Sequence, residues 1–171
     1  MLSQLLGLPF VRYVCDNTSL PIFTHPSGFG IYTRGPFGFL NEVIVTILRL
    51  CGADCIIHPA PYSKLAECNP ETAKKVKEAC DKPMKNIKQS VLSFGGGMRK
   101  ENYKQTKSLI EGNNFIFLVG GAIFGNERSP KIGSEELIDY MVKKLIQAAR
   151  QLRWREIRRR KARADKNSFP V

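Results

Sequence analysis

The 171-residue chain has no run of about 18 apolar residues, which excludes a membrane-spanning helix of ordinary length. Its first ten residues, Met1 to Phe10, carry no basic segment ahead of the apolar part and no small-residue cleavage site, so no secretory leader is expected. Cysteine occurs only five times, at positions 15, 51, 55, 68 and 80. An odd number without paired metal spacing gives neither a disulfide framework nor a zinc site, and a reducing cytoplasm is the expected location. Cys51 and Cys55 stand four apart, but Asp54 to Ile57 reads as a strand, so the two fall on different elements as small core residues. Carboxylates are also scarce, with 15 Asp and Glu against 27 Lys and Arg. Neither Asp54 nor Glu127 has a second carboxylate beside it, and no metal ligand is assigned.

The net charge of +12 is not spread over the chain. Between Lys143 and Lys166 there are eleven Lys or Arg against two acids, which concentrates +9 there and leaves the body nearly neutral. The expected division is therefore one domain over 1–150, followed by a basic helical extension and tail over 151–171. The tail is expected to fray near Ala164 and to attract nucleic acid weakly, through counterion release without sequence reading. Trp154 among its arginines suits either base stacking or packing in register with Met141, Leu145 and Leu152.

What the body does contain is a regular alternation of elements. Leu2 to Cys15 has helical spacing with a kink or late start at Pro9, and Leu20 to His25 reads as a strand. Pro26 to Gly30 is a flexible loop, Phe37 to Leu50 an apolar helix stopped by Gly52, and Ala53 to Ile57 the second strand. After the loop from His58 to Lys64 comes a polar helix from Pro70 to Ala79. Ser90 to Phe94 runs into Gly95-Gly96-Gly97, Lys100 to Glu111 is helical, and Phe115 to Val119 runs into Gly120-Gly121. A last helix begins at Ser134. Such α/β alternation predicts parallel strands joined by right-handed crossovers, forming either a small open sheet or half of an eight-stranded barrel.

Polar and glycine residues gather at the predicted C-terminal ends of the strands: His25, His58, Lys64, Gly95 to Gly97, and Gly120 to Gly121. Glycine at a strand end either makes a tight turn or lets backbone N–H groups approach an anion, for which phosphate is the natural choice. The commoner reading of Arg34 is one partner of an ion pair with a neighbouring carboxylate.

These residues resemble a family. Leu20-Pro-Ile-Phe-Thr-His25, Thr33-Arg34, Leu48-Arg-Leu-Cys-Gly-Ala-Asp54, Pro59-Ala-Pro-Tyr-Ser-Lys64, Phe94-Gly-Gly-Gly97 and Val119-Gly-Gly-Ala-Ile-Phe-Gly125 are similar, in order and nearly in spacing, to the C-terminal half of the catalytic barrel of ribulose bisphosphate carboxylase (RuBisCO). The similarity runs from about Gly7 to Arg150 and is nearest to the RuBisCO-like proteins. It implies the C-terminal half of a (β/α)8 TIM barrel, with four parallel strands and their helices as the fifth to eighth βα units.

The resemblance implies site roles as well. His25 matches the histidine ending the fifth strand, beside the substrate, and Lys64 matches the lysine of a mobile loop that closes over it and stabilises developing negative charge. Gly96, Gly97, Gly120 and Gly121 match phosphate-binding backbone. Pro26 stands where carboxylating members carry arginine, Ile57 where they carry histidine, and Gly95 where they carry serine, which argues against a bisphosphate carboxylase. Enolisation or isomerisation of a sugar monophosphate remains open. The family's Mg²⁺ ligands and base lie on strands of the other half, so Mg²⁺ is expected only with a complementary N-terminal half-barrel. The expected partners are a sugar phosphate and either that half or a homo-oligomeric copy. The implied function is the C-terminal part of a RuBisCO-like lyase or isomerase, inactive alone. The alternative is a non-catalytic phosphate- or nucleic-acid-binding module with a basic tail.

Overall fold

The computed structural model describes residues 6–62, 68–110, 114–143 and 146–147. Lys64, Trp154 and the basic segment 151–171 lie outside the described residues. Two compact units divide at Phe124 and Gly125.

The first unit opens with α1 (Leu8–Asp16), which has Pro9 in its first turn. It buries Val11 and turns Cys15 against Gly52. Strand β1 is only Phe23–Thr24, shorter than the sequence suggests. Pro21 has no N–H to give, and the Ile22 N–H goes instead to the Asp54 carboxylate at 2.8 Å. The loop expected over Pro26 to Gly30 gives way at Phe29 to a short helix, α2 (Phe29–Thr33), entered through Gly28 in the left-handed region. Helix α3 (Asn41–Leu50) begins four residues later than the apolar run. The Phe39 N–H is tied back to the Tyr32 carbonyl at 2.7 Å, and a side chain at Gly38 would strike the Thr33 carbonyl.

Strand β2 (Cys55–Pro59) is followed by α4 (Pro70–Asp81), where the Asn69 side chain accepts from the Thr72 N–H at 2.8 Å and Pro70 takes the first turn. Then come β3 (Val91–Gly95), α5 (Lys100–Leu109), β4 (Phe115–Phe117) and the four-residue α6 (Gly121–Phe124). The second unit contains a helical stretch over 130–143, within which Lys143 pairs with Asp139, while Arg128 just before it pairs with Glu136.

All four strands are parallel, in the order β1-β2-β3-β4. The registers pair Thr24 with Ile56, Ile56 with Leu92, His58 with Phe94, and Leu92 and Phe94 with Phe115 and Phe117. Alternation along each strand therefore puts these residues on one face. That face is the core: Ile56, Leu92 and Phe94 pack with Ile44, Val45 and Leu48 of α3, Val76 and Cys80 of α4, and Ile110 after α5. Burying side chains of this size contributes about 1.5–3 kcal/mol each. Arg49, 2% exposed, ties the helix layer together by donating to the Ala79 and Lys88 carbonyls.

Candidate functional site

Parallel strands place every strand end of one kind on one edge, and here the C-terminal ends of β1 to β4 carry the candidate residues. His25 follows β1 directly and is exposed. Its Nδ1 accepts from the Ser27 N–H at 3.2 Å and lies 2.7 Å from Ser27 Oγ. A backbone N–H can only donate, so the ring proton sits on Nε2. His25 shares a cleft of about 580 Å³ with Pro26, Ser27, Phe29, Arg34 and Pro59.

His58 does not join that rim. The sequence pattern ends the second strand at Ile57 and leaves His58 to the following loop, whereas β2 runs on to Pro59 and carries His58 inside it. Its side chain falls on the helix-covered face, fully buried, with Nδ1 donating to the Pro59 carbonyl at 3.1 Å and Nε2 without a partner among the described residues. Burial pushes its pKa down to about 4, against the smaller opposing effect of the Pro59 hydrogen bond. His58 is a neutral core histidine.

The glycine turns come together as expected from the strand order. Phe94 pairs with Phe117 across β3 and β4, and the Leu118 N–H reaches the Phe94 carbonyl at 3.0 Å, so Gly96-Gly97 and Gly120-Gly121 extend from neighbouring strands on the same edge. The last paired residues of the two strands, Phe94 and Phe117, sit one strand spacing apart, about 4.8 Å. Gly96 and Gly97 take consecutive positive φ values of 79° and 68°, backbone that any side chain would strain. Gly120 and Gly121 are not in that region, and a β-carbon on either would meet nothing within 4 Å. Positive φ therefore constrains the first pair alone. All four glycines are exposed, and among the described residues their N–H groups donate to no carbonyl.

Two residues that the sequence did not single out hold the first turn. Met98 is buried beneath it. Asn102 accepts from the Arg99 N–H and donates to the Gly97 carbonyl, both at 3.0 Å. Its place three residues after Arg99, at the entry to α5, was the available signal. The ten-residue α5 adds its positive end, with Arg99 and Lys100 beside it.

Among the described residues no three His, Cys, Asp or Glu gather into a group that could hold a metal ion. The described rim offers N–H donors and cations where Mg²⁺ requires oxygen ligands, so these residues do not fit that ion. No described helix is long and apolar enough to cross a membrane.

No protein-family model matches the chain. A RuBisCO-like protein of Archaeoglobus fulgidus is 26% identical over 132 residues, covering 75% of this chain and 30% of that protein. A candidate 2,3-diketo-5-methylthiopentyl-1-phosphate enolase of Shouchella clausii is 38% identical over 61 residues, or 34% of this chain and 16% of that protein. Among solved structures, a RuBisCO-like protein from Burkholderia fungorum superposes with a TM-score of 0.73 at 20% identity, over 86% of this chain and 36% of that one. An octameric RuBisCO of Pyrococcus horikoshii in complex with sulfate gives 0.70 at 20% identity, over 95% and 39%. At such identities these superpositions establish the fold, and the chain spans less than a third of the curated relatives. Its relatives in sequence and in fold are RuBisCO-like proteins and RuBisCO, and it corresponds to one part of them.

Proposed function

We propose that this chain is the sugar-phosphate-binding half of a RuBisCO-like enolase, isomerase or lyase, built from the fifth to eighth βα units of a barrel. The observation that carries this reading is the side-by-side ending of β3 and β4 in Gly96-Gly97 and Gly120-Gly121, with four exposed N–H groups on one edge. Converging N–H groups beside a helix N-terminus bind a phosphate without side-chain cations.

In this reading the glycine turns hold the phosphate and fix the sugar, and His25 presents Nε2–H to a substrate oxygen. Lys64 closes over the substrate and stabilises the negative charge that develops as a carbon-bound proton leaves. The base and the Mg²⁺ that polarises the carbonyl come from a complementary N-terminal half-barrel, either a separate chain or the remainder of a longer one. The isolated chain then has no turnover, since the largest charge-stabilising element is elsewhere.

The test is a titration of the folded chain with inorganic phosphate and a sugar phosphate, followed by amide NMR. Shifts centred on the four glycines, abolished by Gly121→Ala without unfolding, support the reading. Unchanged glycine amides at millimolar ligand remove it.

The concentration of +9 between Lys143 and Lys166 favours a second reading, a phosphate- or nucleic-acid-binding module without catalysis. RNA binding that persists at raised salt, and is lost on deletion after Ala149, would put that reading first.

A further inference from the structure

Cys55, Cys68 and Cys80 are buried, whereas Cys15 and Cys51 are half-exposed. Those two come together where α1 and α3 end. Cys15 lies in the last turn of α1, and Cys51 caps the C-terminus of α3. Arg12, three residues before Cys15, donates to the Leu50 carbonyl at 3.5 Å and so links the two helix ends. A β-carbon on Gly52 would lie 2.9 Å from Cys15 Cβ and 3.4 Å from its Sγ. Adjacent α-carbons are about 3.8 Å apart, which leaves Cys51 one residue from a point that Cys15 already touches.

The charges around the two sulfurs tell of the same closeness. Burial raises the Cys15 pKa above its ordinary value, Asp54 and Cys51 add to that, and Lys88 and Arg12 oppose it. Burial raises that of Cys51 too, and Arg12 again opposes. One guanidinium therefore favours both thiolates, and a charge on Cys51 is felt at Cys15. Cys15 also lines a cleft of about 140 Å³ with Thr18, Pro21, Asp54 and Lys88. Asp54 immediately precedes β2, so this cleft lies at the strand starts, on the edge opposite the glycine turns.

We propose that Cys15 and Cys51 are a modification site, a thiol pair that a low-molecular-weight disulfide oxidises to an intramolecular Cys15–Cys51 bond. The Cys15 thiolate, reached through the cleft, attacks one sulfur of the oxidant and releases the other as a thiolate, which takes up a proton. Cys51, its proton lost to solvent, then attacks the Cys15 sulfur of the mixed disulfide and releases the second small thiol. Two protein thiols become one disulfide while the oxidant's disulfide becomes two thiols, so two electrons and two protons pass to the oxidant. The bond closes about 36 residues of chain, among them β1 and α2. It is independent of the phosphate reading.

The test treats the full folded chain with oxidised glutathione, alkylates the remaining thiols and maps the tryptic peptides by tandem mass spectrometry. The expected product joins the peptide 13–34 to the peptide 50–64 through Cys15 and Cys51, with Cys55 alkylated. Its melting temperature should rise by about 5–10 °C, and dithiothreitol should reverse the rise. Cys15→Ser should lose both the link and the rise, and Cys51→Ser should stop at a glutathione adduct on Cys15.

A disulfide forms only where the α-carbons stand within about 7 Å, so its appearance in the folded chain reports that spacing directly. Stable glutathione adducts on the unsubstituted chain without an internal bond, a bond from Cys15 to Cys55, a bond only between two chains, or no reaction at Cys15 would each overturn the proposal. The peptide map of the unsubstituted chain decides this even if a variant fails to fold.

Discussion

The His58 ring meets Phe29 edge to face, with centroids 5.2 Å apart and planes at 86°. Phe29 begins α2 and lines the cleft, so a core histidine braces the element that carries Arg34. Aromatic contacts of this geometry contribute about 0.5–1.5 kcal/mol beyond burial.

Acid should therefore loosen this region first. The folded pKa of His58 is about 4, below its ordinary 6.5, so the unfolded chain takes up the proton first as pH falls. Above pH 6.5 the residue costs nothing. The loss of stability grows from pH 6.5 downward, amounts to ~3 kcal/mol by pH 4, and levels off below. Urea midpoints at pH 7, 5.5 and 4 should show this slope, and His58→Leu should lack it even if less stable at pH 7.

The two glycine pairs should respond differently to alanine. Gly96→Ala and Gly97→Ala force a side chain into positive φ at a cost of about 1–2 kcal/mol each. Gly120→Ala and Gly121→Ala meet open space and should leave the melting temperature within about a degree or two. Calorimetry on the four variants checks this, and equal destabilisation at all four would contradict it.

Arg49 is a buried cation held by two backbone carbonyls, Ala79 and Lys88, at the ends of separate segments. Arg49→Ala removes both donors and leaves a cavity, at a cost of about 2–5 kcal/mol. Denaturant unfolding measures it. A loss under 1 kcal/mol would mean that water replaces the guanidinium.

Asp54 accepts from the Ile22 N–H and pairs with Lys88. Burial works to raise its pKa, but the Ile22 and Lys88 hydrogen bonds outweigh that and hold it below the ordinary carboxylate value. Its contribution is present above the unfolded pKa of about 4 and is lost as pH falls below it. Asp54→Asn should weaken the β1 edge by about 1 kcal/mol at pH 7, read as faster amide exchange at Phe23 and Thr24, with the difference closing in acid.

Strands β2, β3 and β4 could be placed from sequence because each is a short apolar run bounded by turn residues, and their common direction followed from the intervening helices. β1 was overestimated because the reading counted Leu20 to His25 as one run, while Pro21 and the carboxylate of Asp54, 32 residues away, decide where pairing starts. A strand end placed two residues early, at Ile57, puts His58 in the rim loop, whereas the strand continues to Pro59 and carries its side chain onto the helix-covered face. The folding of Arg34 back over Gly30 was invisible because nothing local states which way a long side chain turns. The faint signal was Gly30, a missing side chain one helical turn before it.

Strand order in this sheet is the order of the chain: Phe23 finds Cys55, Cys55 finds Val91, and Leu92 finds Phe115. Each pairing closes a loop of about 20–40 residues, and no strand waits for one still to be made beyond its successor. The sheet can therefore grow at a single edge while the polypeptide leaves the ribosome, each new strand docking on the one before it. Once residues up to about 110 are free, the β1–β3 ladder can already be held. The paired glycine turns at the ends of β3 and β4 would be the last feature to assemble, since they wait for Gly120 and Gly121.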